Sequence, residues 1–500
     1  MNIRITGEGN LNAYYVQTLC LLYFPGEGFK IDENSRWCHV HIEKYEDKST
    51  STVQLGDNKE GICYIGRGSV NYSELASDDE DKADKISCGL AFMEAAGKFT
   101  GYTPPWGILT GVRPARVVSA LIDSGMSADE AAEYLTRIYK VSPVKASLAA
   151  NVSVTENRVV AKDQSKECSI YIAIPFCPSR CRYCSFVSVS SPGLLKLIPD
   201  YIPALKKDIL NITDTIKSLG LHVASVYIGG GTPSILTAEQ IRDLLDFINY
   251  AVDAPIPEFT FEAGRPDTIT KDKLSAIAES GVTRISVNTQ TLNNDILAGV
   301  GRNHTAEQFF EAYALAKEAG IRHINVDLIA GLPGEDSASF ISAASKITEL
   351  RPEAITVHTF TVKRSSDYGL SDLYSRESMD AAEAVDSSSK IITDAGYIPY
   401  YMYRQKNTVG NLENVGYSLP DSEGMYNIYM MEEVHTVFGA GASAVTRLTL
   451  TDPATGEQII ERLFEPKYPY EYLNDHSGTA GESRRQLLRN KTADFYKKYN

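Results

Sequence analysis

Three cysteines, Cys177, Cys181 and Cys184, fall within eight positions of the stretch IPFCPSRCRYCSF (174–186). Thiolates at such spacing hold metal, and the kind of metal follows from what other ligands lie near. A closed structural zinc site needs a fourth Cys or His. The thirty residues after Cys184 contain neither, and the next such residue is His222. A four-iron cluster on three thiolates leaves one iron open, so the missing ligand reads as a substrate or cofactor. The other cysteines, Cys20, Cys38, Cys63, Cys88 and Cys168, are scattered singly and read as small buried hydrophobes in a reducing compartment. CHVHI (38–42) reads as a strand with His39 and His41 on one face, not as a metal site.

The elements that position these thiols follow from periodicity. CSIYIAI (168–174) reads as a buried strand entering the cysteine loop, and ASVYIGGGTPS (224–234) as a strand running into three glycines. Further strands are expected at 259–264, 284–289, 323–333 and 354–360. Amphipathic helices alternate with them. One is opened by Thr237 with Gln240 three residues on, another by Thr305 and closed by Gly320. Six strand–helix units between 169 and about 395 predict a parallel sheet with crossover helices. In parallel α/β sheets chemistry gathers at the C-terminal strand ends, where both the cysteine loop and GGGTPS fall.

Length and charge bound the rest. Five hundred residues exceed one hydrophobic core. The borders are expected near 160 and 375, giving an α/β and helical part (1–160), the parallel strand–helix part (161–375) and a C-terminal substrate-site or cover region (376–500). A net charge of -15 opposes general affinity for nucleic acid or anionic membrane. The N-terminus carries no signal-peptide pattern, and YYVQTLCLLYF (14–24) is too short to span a bilayer, so a cytoplasmic protein with no integral membrane segment is expected. The basic C-terminal stretch SRRQLLRNKTADFYKKYN is expected to be a surface helix docked through Leu487, Leu488 and Phe495.

C-x3-C-x2-C with an aromatic before the third cysteine resembles the signature of the radical S-adenosylmethionine (SAM) enzymes. The resemblance implies an incomplete (β/α)6 TIM-like barrel flanked by an N-terminal α/β domain and a C-terminal α+β extension. It also implies a [4Fe-4S] cluster, and SAM cleaved by one electron to a 5'-deoxyadenosyl radical. YIAIPFC, YIGGGTPS, RISVNTQ, NVDLIAGLPGE and FGAGASAV resemble motifs of the oxygen-independent coproporphyrinogen III dehydrogenase group and its haem chaperone relatives. On that resemblance Gly229, Gly230, Gly231 and Thr232 approach the SAM amino group. Tyr171, Glu262, Gln290, Arg302 and Asp327 are polar SAM contacts, and Tyr183 and Ile329 lie near the adenine.

Two departures stand out. Phe186 occupies the place of the dehydrogenases' fourth cysteine, and the haem chaperones' H-N-x-x-Y-W element is absent, the nearest string being MYNIYMMEEVH. ILTGVRPARVV, YRQKNTVGNLENVGY and the long N-terminal part resemble the HemZ-type branch. That branch implies oxidative decarboxylation of two propionates of coproporphyrinogen III, giving protoporphyrinogen IX in haem biosynthesis. A reductant protein such as flavodoxin or ferredoxin would supply electrons. The alternatives are a radical SAM enzyme with another substrate, and a haem-binding or haem-delivery protein. A four-carboxylate tetrapyrrole needs basic groups, and Lys363, Arg364, Arg404 and Lys406 are the candidates, with Tyr400, Tyr401 and Tyr403 packing on pyrroles.

Overall fold

Ile3 and Ile5 alternate with polar neighbours in strand β1 (Asn2–Gly7), which pairs in parallel with β2 (Arg36–Lys44). Antiparallel β3 (Lys48–Asp57) and β4 (Ile62–Asn71) complete a four-stranded sheet. The structure, a computed structural model, describes residues 1–29, 35–77, 79–160, 164–362, 368, 377–406 (side chains from 380), 408–452 and 455–499. Along β2, Cys38, Val40 and Ile42 are buried while His39 and His41 take the opposite face, as a period of two requires. The helix Glu80–Thr100, capped by the Asp79 carboxylate, lays Ala91, Phe92 and Ala95 on Val53 and Leu55. Cys20, Cys38, Cys88 and Cys168 are buried as expected; Cys63 is exposed on the outer face of β4, which corrects its reading as a core residue.

Three helices, Pro114–Asp123, Ala128–Tyr139 and Pro143–Val160, lead into the large sheet. Its centre is six parallel strands in chain order: β5 (Glu167–Ile174), β6 (His222–Gly230), β7 (Glu258–Gly264), β8 (Arg284–Val287), β9 (His323–Ala330) and β10 (Ala354–Thr359). The strands are nearly continuous apolar runs because helices cover them. Both capping boxes form: Thr237 and Gln240 open the helix Ala238–Val252, and Thr305 and Gln308 open Ala306–Glu318. Gly320 follows the latter helix with φ +76°.

The sheet stays open as a partial barrel and continues at both edges into C-terminal strands. β11 (Ile398–Arg404) and β12 (Glu413–Ser418) join antiparallel beyond β10. β13 (Thr436–Ala440) lies parallel to β5, followed by antiparallel β14 (Val445–Thr451) and β15 (Gln458–Phe464). The terminal helix Gly478–Tyr499 packs through Leu488, Thr492, Phe495 and Tyr496, whereas Leu487 is 51% exposed, contrary to expectation, because it lies on the outer face of the helix.

A buried charge cluster ties the N-terminal helices to the sheet. Lys145, 1% exposed, donates to Glu413 and Asp386 at 2.5 Å each, and Trp106 Nε1 donates to Glu413 at 2.7 Å. Burial alone would lower the Lys145 pKa, but the charges of Glu413 and Asp386 outweigh it and raise it. Burial of Glu413 is likewise outweighed by Lys145, and its pKa is lowered.

Candidate active site

The cysteine loop is pinned from three sides. Within the loop, Cys177 N–H donates to Val189 O at 3.0 Å and Val189 N–H to Pro175 O at 2.9 Å. Arg182 N–H reaches Val300 O at 3.0 Å. Arg265, 3% exposed, forks onto Asp267 and donates from Nη1 to the carbonyl and hydroxyl of Ser179. Cys177, Cys181 and Cys184 thereby line one cavity at the C-terminal ends of the parallel strands. Thr232 Oγ1 donates to Cys177 Sγ at 3.4 Å, and burial pushes the Cys184 thiol up.

Tyr183, Gly230, Gly231, Thr232, Glu262, Gln290, Arg302, Asp327 and Ile329 line the same cavity. The glycine turn exists for close approach. A Cβ on Gly231 would stand 2.5 Å from Phe176 O, and one on Gly229 would stand 2.6 Å from Glu262 Oε2. Gly229 therefore leaves room for the Glu262 carboxylate. Burial, reinforced by Asp327, pushes the Glu262 pKa up to about 8. Asp327 goes the other way: burial is outweighed by His358, Asn325 and Thr356, and its pKa is lowered. Two neighbouring carboxyl groups are thus held in different protonation states near neutrality.

Arg302 donates from Nε to Tyr183 OH at 3.0 Å and from Nη1 to Asn288 O at 2.7 Å. Gln290 sits at φ +75°, its N–H on Asp327 O and its carbonyl accepting from Ile329 N–H. These two bonds form a single parallel bridge from Gln290 to Leu328 beyond the end of β8, which ties the left-handed turn to β9 beside the cavity that Gln290 lines.

Not every expected residue joins this group. Tyr171 stacks with Tyr227 and Tyr426, ring centroids 6.1 and 6.4 Å away, and does not line the cavity. Arg404 is 4% exposed and commits Nη1 to Leu109 O and Gly111 O and Nη2 to Asn411 O. The reason is strand alternation: Tyr403 lines the cavity, so its neighbour Arg404 lines the opposite face. Lys406 lies on that opposite side too, against Tyr14. Tyr400 and Tyr401 are buried in a small cluster with Ile428, so of the three tyrosines only Tyr403 reaches the cavity. Lys363 and Arg364 lie outside the described residues.

Among the cavity residues that were not anticipated, Asn288, His358 and Arg265 shape the site. Asn288 donates to Asp327 Oδ2 at 2.7 Å, accepts from Asp327 N–H and holds Arg302 through its carbonyl. His358 Nε2 lies 3.8 Å from Asp327 Oδ2, and Arg265 pins the cysteine loop. A polar residue at the C-terminal end of an apolar strand was the available signal for Asn288 and His358.

Residues 171–347 match the Radical SAM superfamily. Over 409 residues the chain is 37% identical to the oxygen-independent coproporphyrinogen-III oxidase-like protein HemZ of Bacillus subtilis (strain 168), with 80% of each chain covered. The chain belongs to this branch of the radical SAM superfamily. It is also 32% identical over 278 residues to the heme chaperone HemW of Lactococcus lactis subsp. lactis (strain IL1403), covering 55% of this chain and 69% of that protein. Among solved structures, the radical SAM enzyme coproporphyrinogen III oxidase (HemN) of Escherichia coli aligns at 23% identity and a TM-score of 0.49, over 65% of this chain and 72% of its own.

Membership of the radical SAM superfamily implies SAM and a [4Fe-4S] cluster, and the residues present fit both. Among the described residues no three His, Cys, Asp or Glu side chains converge to hold a metal ion. Cluster thiolates ligate separate irons and stand wider apart than the ligands of one ion, which suits three cysteines spread along one cavity wall. Beside them, the glycine turn provides space that a side chain would fill.

Proposed function

We propose that this radical SAM enzyme carries out the oxygen-independent oxidative decarboxylation of coproporphyrinogen III to protoporphyrinogen IX, in the cytoplasm and with a flavodoxin- or ferredoxin-like reductant. The observation that carries the reading is the meeting, in one cavity, of the three thiols with Glu262, Gln290, Arg302 and Asp327. The name of the HemZ relative points to the substrate.

When bound, the cluster supplies the electron that cleaves SAM and so starts hydrogen abstraction. The chain's own residues hold and orient. Cys177, Cys181 and Cys184 would ligate three irons, with Thr232 donating to Cys177 and tempering its charge. Arg302 would face the SAM carboxylate, already oriented by Tyr183 and Asn288. Glu262, once ionised, would accept from the SAM ammonium. Asp327, held ionised by Asn288, Asn325 and His358, would accept from ribose hydroxyls, and Ile329 and Tyr183 would flank the adenine.

A second reading, haem handling, is supported by the likeness to a heme chaperone, whereas Phe186, 68% exposed where the dehydrogenases carry a fourth cysteine, favours a radical SAM enzyme with another substrate. The deciding experiment is anaerobic. Reconstituted protein is given SAM, reductant and coproporphyrinogen III, and 5'-deoxyadenosine and protoporphyrinogen are followed together, with Cys181→Ala as control. Both products from the wild type alone are expected. Deoxyadenosine without protoporphyrinogen would overturn the substrate, and haem transfer without either product would favour the second reading.

A further inference from the structure

A second cavity of about 440 Å³ opens on the far side of the 403–406 segment, between the N-terminal helix Ala13–Tyr23 and the loops at 100–112 and 408–411. Its size falls in the usual range of ~300–1,000 Å³ for small-molecule sites. Nothing in the radical SAM chemistry described above uses it. Tyr403 faces the barrel cavity, Arg404 and Lys406 face this one, and Gln405 lines both, so the two are neighbours across a single strand end.

Its chemistry is one-sided. Tyr14, Tyr23, Tyr102 and Leu22 supply ring faces and apolar surface, while Arg404 and Lys406 supply the charge. Among the described lining residues there is no Asp or Glu, although acidic residues outnumber basic ones by 64 to 49 in the whole chain. Three polar atoms of lining residues are buried without a hydrogen-bond partner: Arg404 Nε, Asn411 Nδ2 and the Tyr23 hydroxyl. Orphaned polar groups are costly to bury, and three of them belong to residues lining this one cavity. Lys406, itself exposed, reaches over the opening to Tyr14, with its ammonium 4.5 Å from the ring centroid.

We propose that this cavity is an outer binding site for a planar, largely apolar molecule bearing carboxylates. Resting on the function read above, its occupant is the porphyrinogen held beside the barrel mouth. One carboxylate-bearing edge sits among Arg404, Asn411 and Lys406 with the macrocycle against the tyrosines.

The test uses coproporphyrin III, the stable oxidised counterpart of that substrate, titrated into the full-length protein without its cluster and followed by its main absorbance band. Saturable one-to-one binding is expected. Lys406→Glu removes the exposed cation. Asn411→Gly deletes an orphaned amide while keeping a residue suited to φ +53°. Each should weaken binding about tenfold or more, the loss of one charge-assisted bond. Thr18→Trp, on the helix face lining the cavity, should abolish it. All three should keep the wild-type melting curve and, once reconstituted, wild-type SAM affinity. Unchanged porphyrin affinity in the three variants, or no saturable binding by the wild type, overturns the outer site. Turnover separates the two readings: product formation with no effect of these variants on binding leaves the enzyme and removes the site, whereas variant-sensitive binding without product keeps the site and removes the dehydrogenase.

Discussion

Replacing Lys145 by Met should destabilise the join between the N-terminal helices and the barrel out of proportion to the size of the change. Lys145 is fully enclosed and bonds Glu413, whose side chain is itself 0% exposed, and Asp386, which is about half exposed. The variant leaves Glu413 buried with Trp106 Nε1 as its remaining side-chain donor. Removing one partner of a buried ion pair costs about 3–5 kcal/mol, because the other charge loses its compensation. At a urea m-value of about 3 kcal/mol/M this lowers the midpoint by about 1–2 M. Trp106 fluorescence in a Trp37→Phe background reports on this unit directly, since Trp37 and Trp106 are the two tryptophans of the chain. Lys145→Met/Glu413→Gln removes the orphaned charge and keeps an acceptor for Trp106, so it should recover most of the loss. A shift below about 0.3 M in the single variant, or a double variant as unstable as the single, would refute the reasoning. The effect should extend to the cavity. Thr359 donates its hydroxyl to Glu413 O and its N–H to Asn414 Oδ1, and Thr359 and Asn414 both line it.

Gly229→Ala should place a methyl against Glu262 and the Tyr227 ring, lowering SAM affinity about tenfold in equilibrium dialysis while iron content after reconstitution stays at the wild-type level. SAM affinity should rise with pH through about 8. The Glu262 carboxyl is neutral below that value and becomes a charged acceptor above it, and Glu262→Gln should flatten this part of the profile between pH 6.5 and 9. Arg265→Lys loses the fork that joins Ser179 to Asp267, so a ferrous chelator should strip iron from the reconstituted variant several times faster than from the wild type.

Much of this molecule was legible in the order of residues. The six parallel strands fall where apolar runs of four to eight residues lie between capped amphipathic helices, because burial on both faces and local capping are recorded in sequence itself. The cysteine spacing and the glycine turn were readable for the same reason: the chain brings each group together within a dozen residues. Legibility failed where a side chain's direction depended on a distant partner. Arg404 and Lys406 beside three tyrosines suggested one substrate face, yet strand alternation and the carbonyls of Leu109 and Gly111 turn the charge away from Tyr403. Leu487 was expected in a helix interface that Leu488 and Phe495 occupy.

By itself the sequence determined the three-cysteine spacing, the glycine turn and the elements that carry them, since cysteine number, glycine positions and hydrophobic period act over short distances along the chain. Tertiary structure alone decided what those groups face. It set Asn288 between Arg302 and Asp327, drove the pKa values of Glu262 and Asp327 apart, buried Lys145 against Glu413, and opened a second cavity around Arg404 and Asn411. Each of these depends on burial and on charges from residues tens to hundreds of positions away, and such energies arise only once the sheet has brought those residues together.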